Sequence, residues 1–302
     1  MSQHVWQGVF PAVTTQFKRD LSLDLEATAR HCEVLIQSGV SGLIVGGSLG
    51  ENQTLLPQEK RDLVAEIVKL SAGRVPVVSG VAEMSTALAR SYVQDCEKLG
   101  ASGFMIMPAM VYKADREEAM HHFRSVGAAT SLPWMLYNNP VGYPVDITPQ
   151  QFAELASIPN LVALKESSAN TRRITELRLE VGNRYAIFVG VDDLALEASI
   201  LGIDGWVAGS GIAFPTENQY FWELTRAGRW DEARELYRWF YPLLKLDTHV
   251  KFVQYIKLAV QETGLGSEWV REPRLPLTGA EREHVLKIVH AGIANRPRLE
   301  RR

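Results

Sequence analysis

Lys165 is the residue best placed for covalent chemistry in this chain. It follows the apolar run Leu161-Val162-Ala163-Leu164 and precedes Glu166-Ser167-Ser168. Alternation along a strand sends one of Leu164 and Lys165 inward. A lysine held in a confined apolar site loses solvation, and this lowers its pKa from about 10.4 by about two to four units. The neutral amine is then a nucleophile toward carbonyl carbons and forms a Schiff base. The competing reading is a surface lysine paired with Glu166.

Tyr137 ends another apolar run and carries a hydroxyl that both donates and accepts, as a proton shuttle must; it equally suits a core position with its hydroxyl satisfied. Gly47-Ser48-Leu49-Gly50 is a turn whose amides and Ser48 hydroxyl can cradle a carboxylate. Many such turns hold no ligand.

The elements that must position these groups show in the hydrophobic pattern. Short apolar runs at 8–17, 40–47, 75–82, 103–108, 134–138, 161–166, 185–191 and 205–211 read as strands buried on both faces. Between them 24–37, 57–70, 85–99, 117–129, 148–156, 171–181 and 192–201 have helical spacing, and Gly39, Gly100, Gly182 and Gly202 stand where left-handed C-caps belong. Eight strand-helix repeats predict an α/β chain folded as a (β/α)8 TIM barrel over residues 1–215. An open doubly wound sheet is the competitor, but no glycine-rich dinucleotide fingerprint follows the first strand. Residues 216–302 read as a C-terminal helical extension with helices at 216–227, 230–246, 249–263 and 279–291, and Trp222, Trp230 and Trp239 read as helix packing. Residues 295–302 read as a loose tail.

Barrels of this kind carry reactive groups at the carboxyl ends of their strands. On that rim lie Thr14, Asn139, Ser167, Gly190, Gly209 and Ser210, candidates for a secondary pocket around Lys165 and Tyr137. Asp192-Asp193 resembles a metal pair but suits the N-cap of the following helix. Gly209-Ser210-Gly211 has no companion lysine motif for phosphate. His121-His122 lacks a third ligand, so no metal is expected.

Composition sets the outer limits. The 302 residues include 35 acidic and 32 basic side chains, a formal charge of -3 without the basic excess of nucleic-acid binders. No apolar run is long enough for a membrane span, and residues 1–6 do not read as a signal peptide. Two cysteines, Cys32 and Cys96, exclude a zinc site built on cysteine pairs; a disulfide between them is the alternative to the expected reading, two buried free thiols of a cytoplasmic protein.

Taken together, 8–15 (Gly-Val-Phe-Pro-Ala-Val-Thr-Thr), Gly47-Ser48-Leu49-Gly50-Glu51, Tyr137-Asn138-Asn139-Pro140 and Leu164-Lys165-Glu166 resemble the dihydrodipicolinate synthase / N-acetylneuraminate lyase family of class I, Schiff-base aldolases. The resemblance implies Lys165 as the Schiff-base lysine, Tyr137 as its proton relay, and Gly47, Ser48 and Leu49 as the carboxylate-binding turn. It also implies a small 2-oxo acid or cyclic imine as substrate, no cofactor beyond the lysine imine, and a homotetramer. Three departures bear on the substrate. Ser48-Leu49 replaces a Thr-Thr pair, which removes a relay hydroxyl. Gly142 stands where the synthase has an arginine for a distant carboxylate. The tyrosine expected after Pro108 is displaced to Tyr112. The motif from Asn139 to Tyr143 also departs from the small-residue style of the lyase. The turn, Asn139 and Asp247-Thr248-His249 look most similar to 1-pyrroline-4-hydroxy-2-carboxylate deaminases of hydroxyproline breakdown. 2-Keto-3-deoxy sugar-acid dehydratases are the alternative, and 4-hydroxy-tetrahydrodipicolinate synthase is a second. A non-catalytic sensor barrel would lack Lys165 or Tyr137.

Overall fold

The computed structural model of the chain describes residues 5–109 and 113–299. Tyr112, residues 1–4 of the start and 300–302 of the tail lie outside the described residues. Each of the eight apolar runs contains a strand: β1 (Gly8–Val9), β2 (Leu43–Val45), β3 (Val77–Val81), β4 (Gly103–Ile106), β5 (Trp134–Asn138), β6 (Leu161–Glu166), β7 (Ala186–Val189) and β8 (Gly205–Trp206). All pair in parallel, in the order β1-β8-β7-β6-β5-β4-β3-β2. A parallel bridge from Ala12 to Ile44 joins the ends, with Val13 N–H donating to Ile44 O at 2.8 Å. The sheet thus closes on itself and leaves no free edge. The result is a (β/α)8 barrel.

The helices begin where the sequence supplies caps. Asp24 accepts from Ala27 N–H ahead of α1 (Leu25–Gln37), and Pro57 opens α2 (Pro57–Ser71). Ser85 caps α3 (Thr86–Lys98). Asp115 with Glu118 boxes the start of α4 (Arg116–Gly127), as Thr148 with Gln151 does for α5 (Pro149–Glu154). Then come α6 (Arg172–Val181) and α7 (Ala195–Ile200), and Gly39, Gly100, Gly182 and Gly202 all have positive φ. The barrel interior is filled by fully buried aromatic rings, Phe10 meeting Phe188 edge-on at 5.3 Å between centroids.

Beyond β8, α8 (Pro215–Arg226) packs on β1 and α7. It is followed by α9 (Trp230–Leu244), α10 (Phe252–Glu262) and α11 (Gly279–Ala294), with Trp239 Nε1 donating to Gly292 O at 3.1 Å. These helices do more than cover the barrel. A 3-10 turn at Lys245–Thr248 leads the chain from α9 back over the turn that follows β7. No helix among the described residues is long and apolar enough to cross a membrane.

Candidate active site

Parallel pairing of β5 with β6 sets Tyr137 beside Lys165 and Asn138 beside Glu166. Alternation then puts the two pairs on opposite faces of the sheet. Asn138 Nδ2 donates to Glu166 Oε2 at 3.2 Å, and Glu166 also accepts Ser168 N–H. Glu166 is therefore occupied on its own face, and Lys165 is not its partner. The lysine points into the barrel, where it is only 7% exposed, and its Nζ lies 4.1 Å from the centre of the Tyr137 ring. Desolvation lowers its pKa, and the neighbouring acids Asp247, Tyr143 and Asp192 pull it upward only when they are ionised. An amine so placed is deprotonated more often than a lysine in water, as nucleophilic attack requires.

Gly190, at the end of β7, makes room for that lysine. A Cβ there would stand 2.2 Å from both Lys165 Cε and Ser167 Oγ. Ser167 is buried close to the Tyr137 phenol, and its own hydroxyl makes no hydrogen bond of normal geometry. A buried unpaired hydroxyl is costly unless something else bonds to it, so the site has a spare donor directly beside the amine.

Tyr137 is buried too, and burial pushes its phenol up to about 12. It is a neutral donor throughout the physiological range. Asn139 Nδ2 donates to its hydroxyl oxygen at 3.0 Å, which leaves the phenol proton free to point elsewhere. Gly142 N–H in turn donates to Asn139 Oδ1 at 2.9 Å, and a Cβ at 142 would come within 2.8 Å of Asn139 Nδ2. The missing side chain at 142 is thus what lets Asn139 reach Tyr137. Next in the same loop, Tyr143 sets its ring edge-on to Tyr137 at 5.9 Å and shares a short hydrogen bond with Ser48 Oγ. Leu49 does remove a hydroxyl from the turn, but the Tyr143 hydroxyl meets Ser48 in its stead. Spacing gave no sign of Tyr143, because nothing in the sequence says where a loop of this length returns.

The turn carrying Ser48 is held by Glu51, a left-handed residue at φ 56°. Lys257 of α10 donates to Glu51 Oε1 and to Thr15 O, both at 2.8 Å, and both ionic side chains are fully buried. Arg271 N–H takes the other Glu51 oxygen at 3.1 Å. The helical extension therefore positions the turn of Gly47, Ser48 and Leu49 through an ion pair between residues 206 apart in sequence. Thr14 Oγ1 accepts from Gln16 Nε2 at 2.9 Å, which ties it into the β1 wall. No hydrogen bond joins it to Lys165 or Tyr137 among the described residues.

Asp192 corrects the expectation of a helix cap. Its side chain caps nothing at the start of α7. Its carboxylate instead accepts from Trp206 Nε1 at 3.0 Å, Gly209 N–H at 3.1 Å and Ser210 N–H at 2.6 Å. A turn with open amides is an anion site wherever the anion comes from, and here the chain supplies its own. Those amides of Gly209 and Ser210 are thereby spent. The two residues still shape the mouth, because Gly209 lies bare against Asp247.

The profile of the Dihydrodipicolinate synthetase family matches residues 5–292. The chain belongs to this family. It is 31% identical to 4-hydroxy-tetrahydrodipicolinate synthase 1 of Halalkalibacterium halodurans over 277 residues, 92% of this chain and 94% of that one. It is 31% identical to the 4-hydroxy-tetrahydrodipicolinate synthase of Methanococcus vannielii over 290 residues, 94% of this chain and 97% of the other. Dihydrodipicolinate synthase from Aquifex aeolicus superposes with a TM-score of 0.90 at 26% identity, covering 94% of this chain and 97% of that one. The enzyme from Acinetobacter baumannii, solved as its chloride-inhibited form with pyruvate, gives 0.90 at 25% identity over 95% and 98% of the two chains. As a member of the dihydrodipicolinate synthase family, the chain is an enzyme of the class I, Schiff-base-forming lyases.

Within the family frame the remaining sequence candidates fall into place. His122 is a wall residue, hydrogen-bonded to Thr86 Oγ1 at 2.9 Å and Met107 O at 3.1 Å. No group of three metal-ligating side chains occurs among the described residues. Cys32 and Cys96 are both free and buried, and burial pushes Cys96 up to about 11, away from the reactive thiolate.

Proposed function

We propose that this enzyme is a Schiff-base deaminase of 1-pyrroline-4-hydroxy-2-carboxylate. The observation that carries the reading is Gly142, whose bare Cα lets Asn139 reach Tyr137. An arginine there, as in the synthase, would drive its Cβ into Asn139. The loop therefore offers no guanidinium for a second carboxylate, which suits a small substrate with one.

In this reading the turn of Gly47, Ser48 and Leu49 receives the substrate carboxylate, as its amides and hydroxyl suit. Lys165 Nζ adds to C2 of the ring imine, and the ring nitrogen leaves as an amine, taking a proton from the neutral Tyr137 phenol. This opens the ring and leaves a lysine ketimine. Its positive nitrogen makes the C3 proton acidic. The enamine that forms on losing that proton expels the C4 hydroxyl as water. The unsaturated amine then isomerises to an imine at C5. Two waters hydrolyse the C5 imine and the lysine imine, releasing ammonia and 2-oxoglutarate semialdehyde. One water is made and two consumed, so the balance is one water in and one ammonia out. Thr14, Ser167 and Ser210 would complete the wall around the ring, with no cofactor beyond the lysine, and the family resemblance implies a homotetramer.

Ammonia release from hydroxylated pyrroline carboxylate tests the assignment. It is compared with water loss from a 2-keto-3-deoxy sugar acid and with condensation of pyruvate with aspartate semialdehyde. The proposal expects ammonia release to have the highest kcat/KM by at least ~100-fold, an ample margin for a site that must bond specific groups. Faster turnover in either other assay replaces it.

A further inference from the structure

The mouth of the barrel holds one group that neither imine formation nor the Tyr137 relay uses. Asp247 belongs to the 3-10 turn between α9 and α10, far in sequence from every strand, and that turn lies over the one following β7. Its carboxyl enters the mouth because position 209 has no side chain. A Cβ on Gly209 would stand 2.4 Å from Asp247 Oδ1 and 3.4 Å from Asp192 Oδ2. Two carboxyls are thus brought together around one bare Cα. Close in a low dielectric, two carboxylates do not both keep their charge, and the one with fewer donors takes the proton. Asp192 accepts from the indole and two amides, whereas Asp247 accepts from a single backbone N–H, that of Asp192. The proton therefore belongs to Asp247. Burial and the Asp192 charge act in that direction, with Asp193 adding to them, against Lys165 and the Asp192 N–H. The same carboxyl lies within electrostatic reach of both the Lys165 amine and the Tyr137 phenol.

We propose that Asp247 is the general acid that protonates the C4 oxygen as it leaves, the step on which the deaminase reading turns. The enamine nitrogen pushes its lone pair into the N–C2 bond. The C2–C3 pair moves to C3–C4, the C4–O bond breaks, and the Asp247 proton goes to the departing oxygen, which leaves as water. The products of the step are a lysine iminium cation and an Asp247 carboxylate across the mouth from it. Charge that would otherwise be unpaired appears as an opposed pair. Tyr137, on the β5 side, is left to serve nitrogen and C3, and Asp247, on the β7–β8 side, serves C4.

The test compares the wild type and Asp247→Asn on two substrates that differ only in their leaving group. These are 4-hydroxy- and 4-chloro-1-pyrroline-2-carboxylate, because chloride needs no proton to depart. A general acid contributes about 100-fold or more. The expected result is at least a ~100-fold loss of kcat for Asp247→Asn on the hydroxyl substrate and less than ~5-fold on the chloride. Borohydride trapping of pyruvate at Lys165 should be unchanged and shows that the variant is folded. Equal losses on the two substrates, failure of the variant to trap pyruvate, or an undiminished rate on the hydroxyl substrate overturns the role of Asp247 and leaves the deaminase reading standing. A wild type that releases no ammonia from the hydroxyl substrate overturns the reading instead. The same pair of enzymes is then run on the 2-keto-3-deoxy acid, whose C4 hydroxyl must also leave. There a ~100-fold loss retains Asp247 as the acid and its absence removes it.

Discussion

Lys165 and Tyr137 sit side by side on adjacent parallel strands, and the amine of one rests 4.1 Å from the ring centre of the other. This is a contact with the face of the phenol, which leaves the hydroxyl free for a substrate bonded to the lysine. It assigns the two residues separable tasks. Tyr137→Phe keeps the ring and its packing, so imine formation with pyruvate should survive. Turnover should fall by ~100- to 10,000-fold, the range of a lost acid-base group. Trapping and steady-state kinetics on the same preparation check the split, and parallel loss of both would contradict it.

Ser48 and Tyr143 form one hydroxyl pair beside Tyr137, whose ring meets that of Tyr143 edge-on. Groups in one hydrogen-bonded chain lose more together than their separate effects predict, or less, but they do not act independently. Ser48→Ala and Tyr143→Phe should each lower kcat by ~10-fold or more, and the double variant should be little worse than the poorer single one. A double-mutant cycle on kcat measures this. Multiplying losses would show that the two hydroxyls work apart. Both residues come from one chain, so activity per mole should also hold on dilution below any oligomer dissociation followed by light scattering.

Burying Lys165 has a stability signature with a definite sign. Its folded-state pKa lies below the usual 10.5, so between the two values the unfolded chain binds more protons and stability rises with pH. Lys165→Met removes that penalty. The variant should melt higher than the wild type at pH 7.5, and the difference should shrink as pH approaches 10.5. Thermal melts across this window check it. A gain independent of pH would mean the amine is charged or solvated in the folded enzyme.

The Glu51–Lys257 pair carries the extension's hold on the turn of Gly47, Ser48 and Leu49. Removing one partner of a buried pair strands the other charge, at a cost of about 3–5 kcal/mol. Lys257→Met should therefore destabilise the enzyme by that order in urea and raise KM through the loosened turn. Adding Glu51→Gln to it should recover a large part of the stability. An unchanged urea midpoint for Lys257→Met would contradict the role given to the pair.

Much of this architecture is legible in the sequence because parallel strands buried on both faces are nearly pure apolar runs. All eight can be located that way, from β1 at Gly8–Val9 to β8 at Gly205–Trp206. Lys165 and Tyr137 are legible for the same reason, as polar residues that end such runs. The rest depends on where distant segments return. Tyr143 arrives by a loop, Asp247 by a turn between two helices, and Lys257 from α10, and periodicity carries no information on any of these paths. Asp192 shows the converse error. A local rule, acid before helix, was overridden by three donors on the neighbouring strand end that held the carboxylate more firmly.

The central claim is that the Lys165 amine forms a covalent imine with a 2-oxo acid. Borohydride reduction in the presence of pyruvate, read by intact mass and peptide mapping, tests it most directly. The account predicts one reduced pyruvate per chain on the peptide containing Lys165, and none with Lys165→Ala. An adduct on another lysine, or turnover that persists in Lys165→Ala, would contradict it.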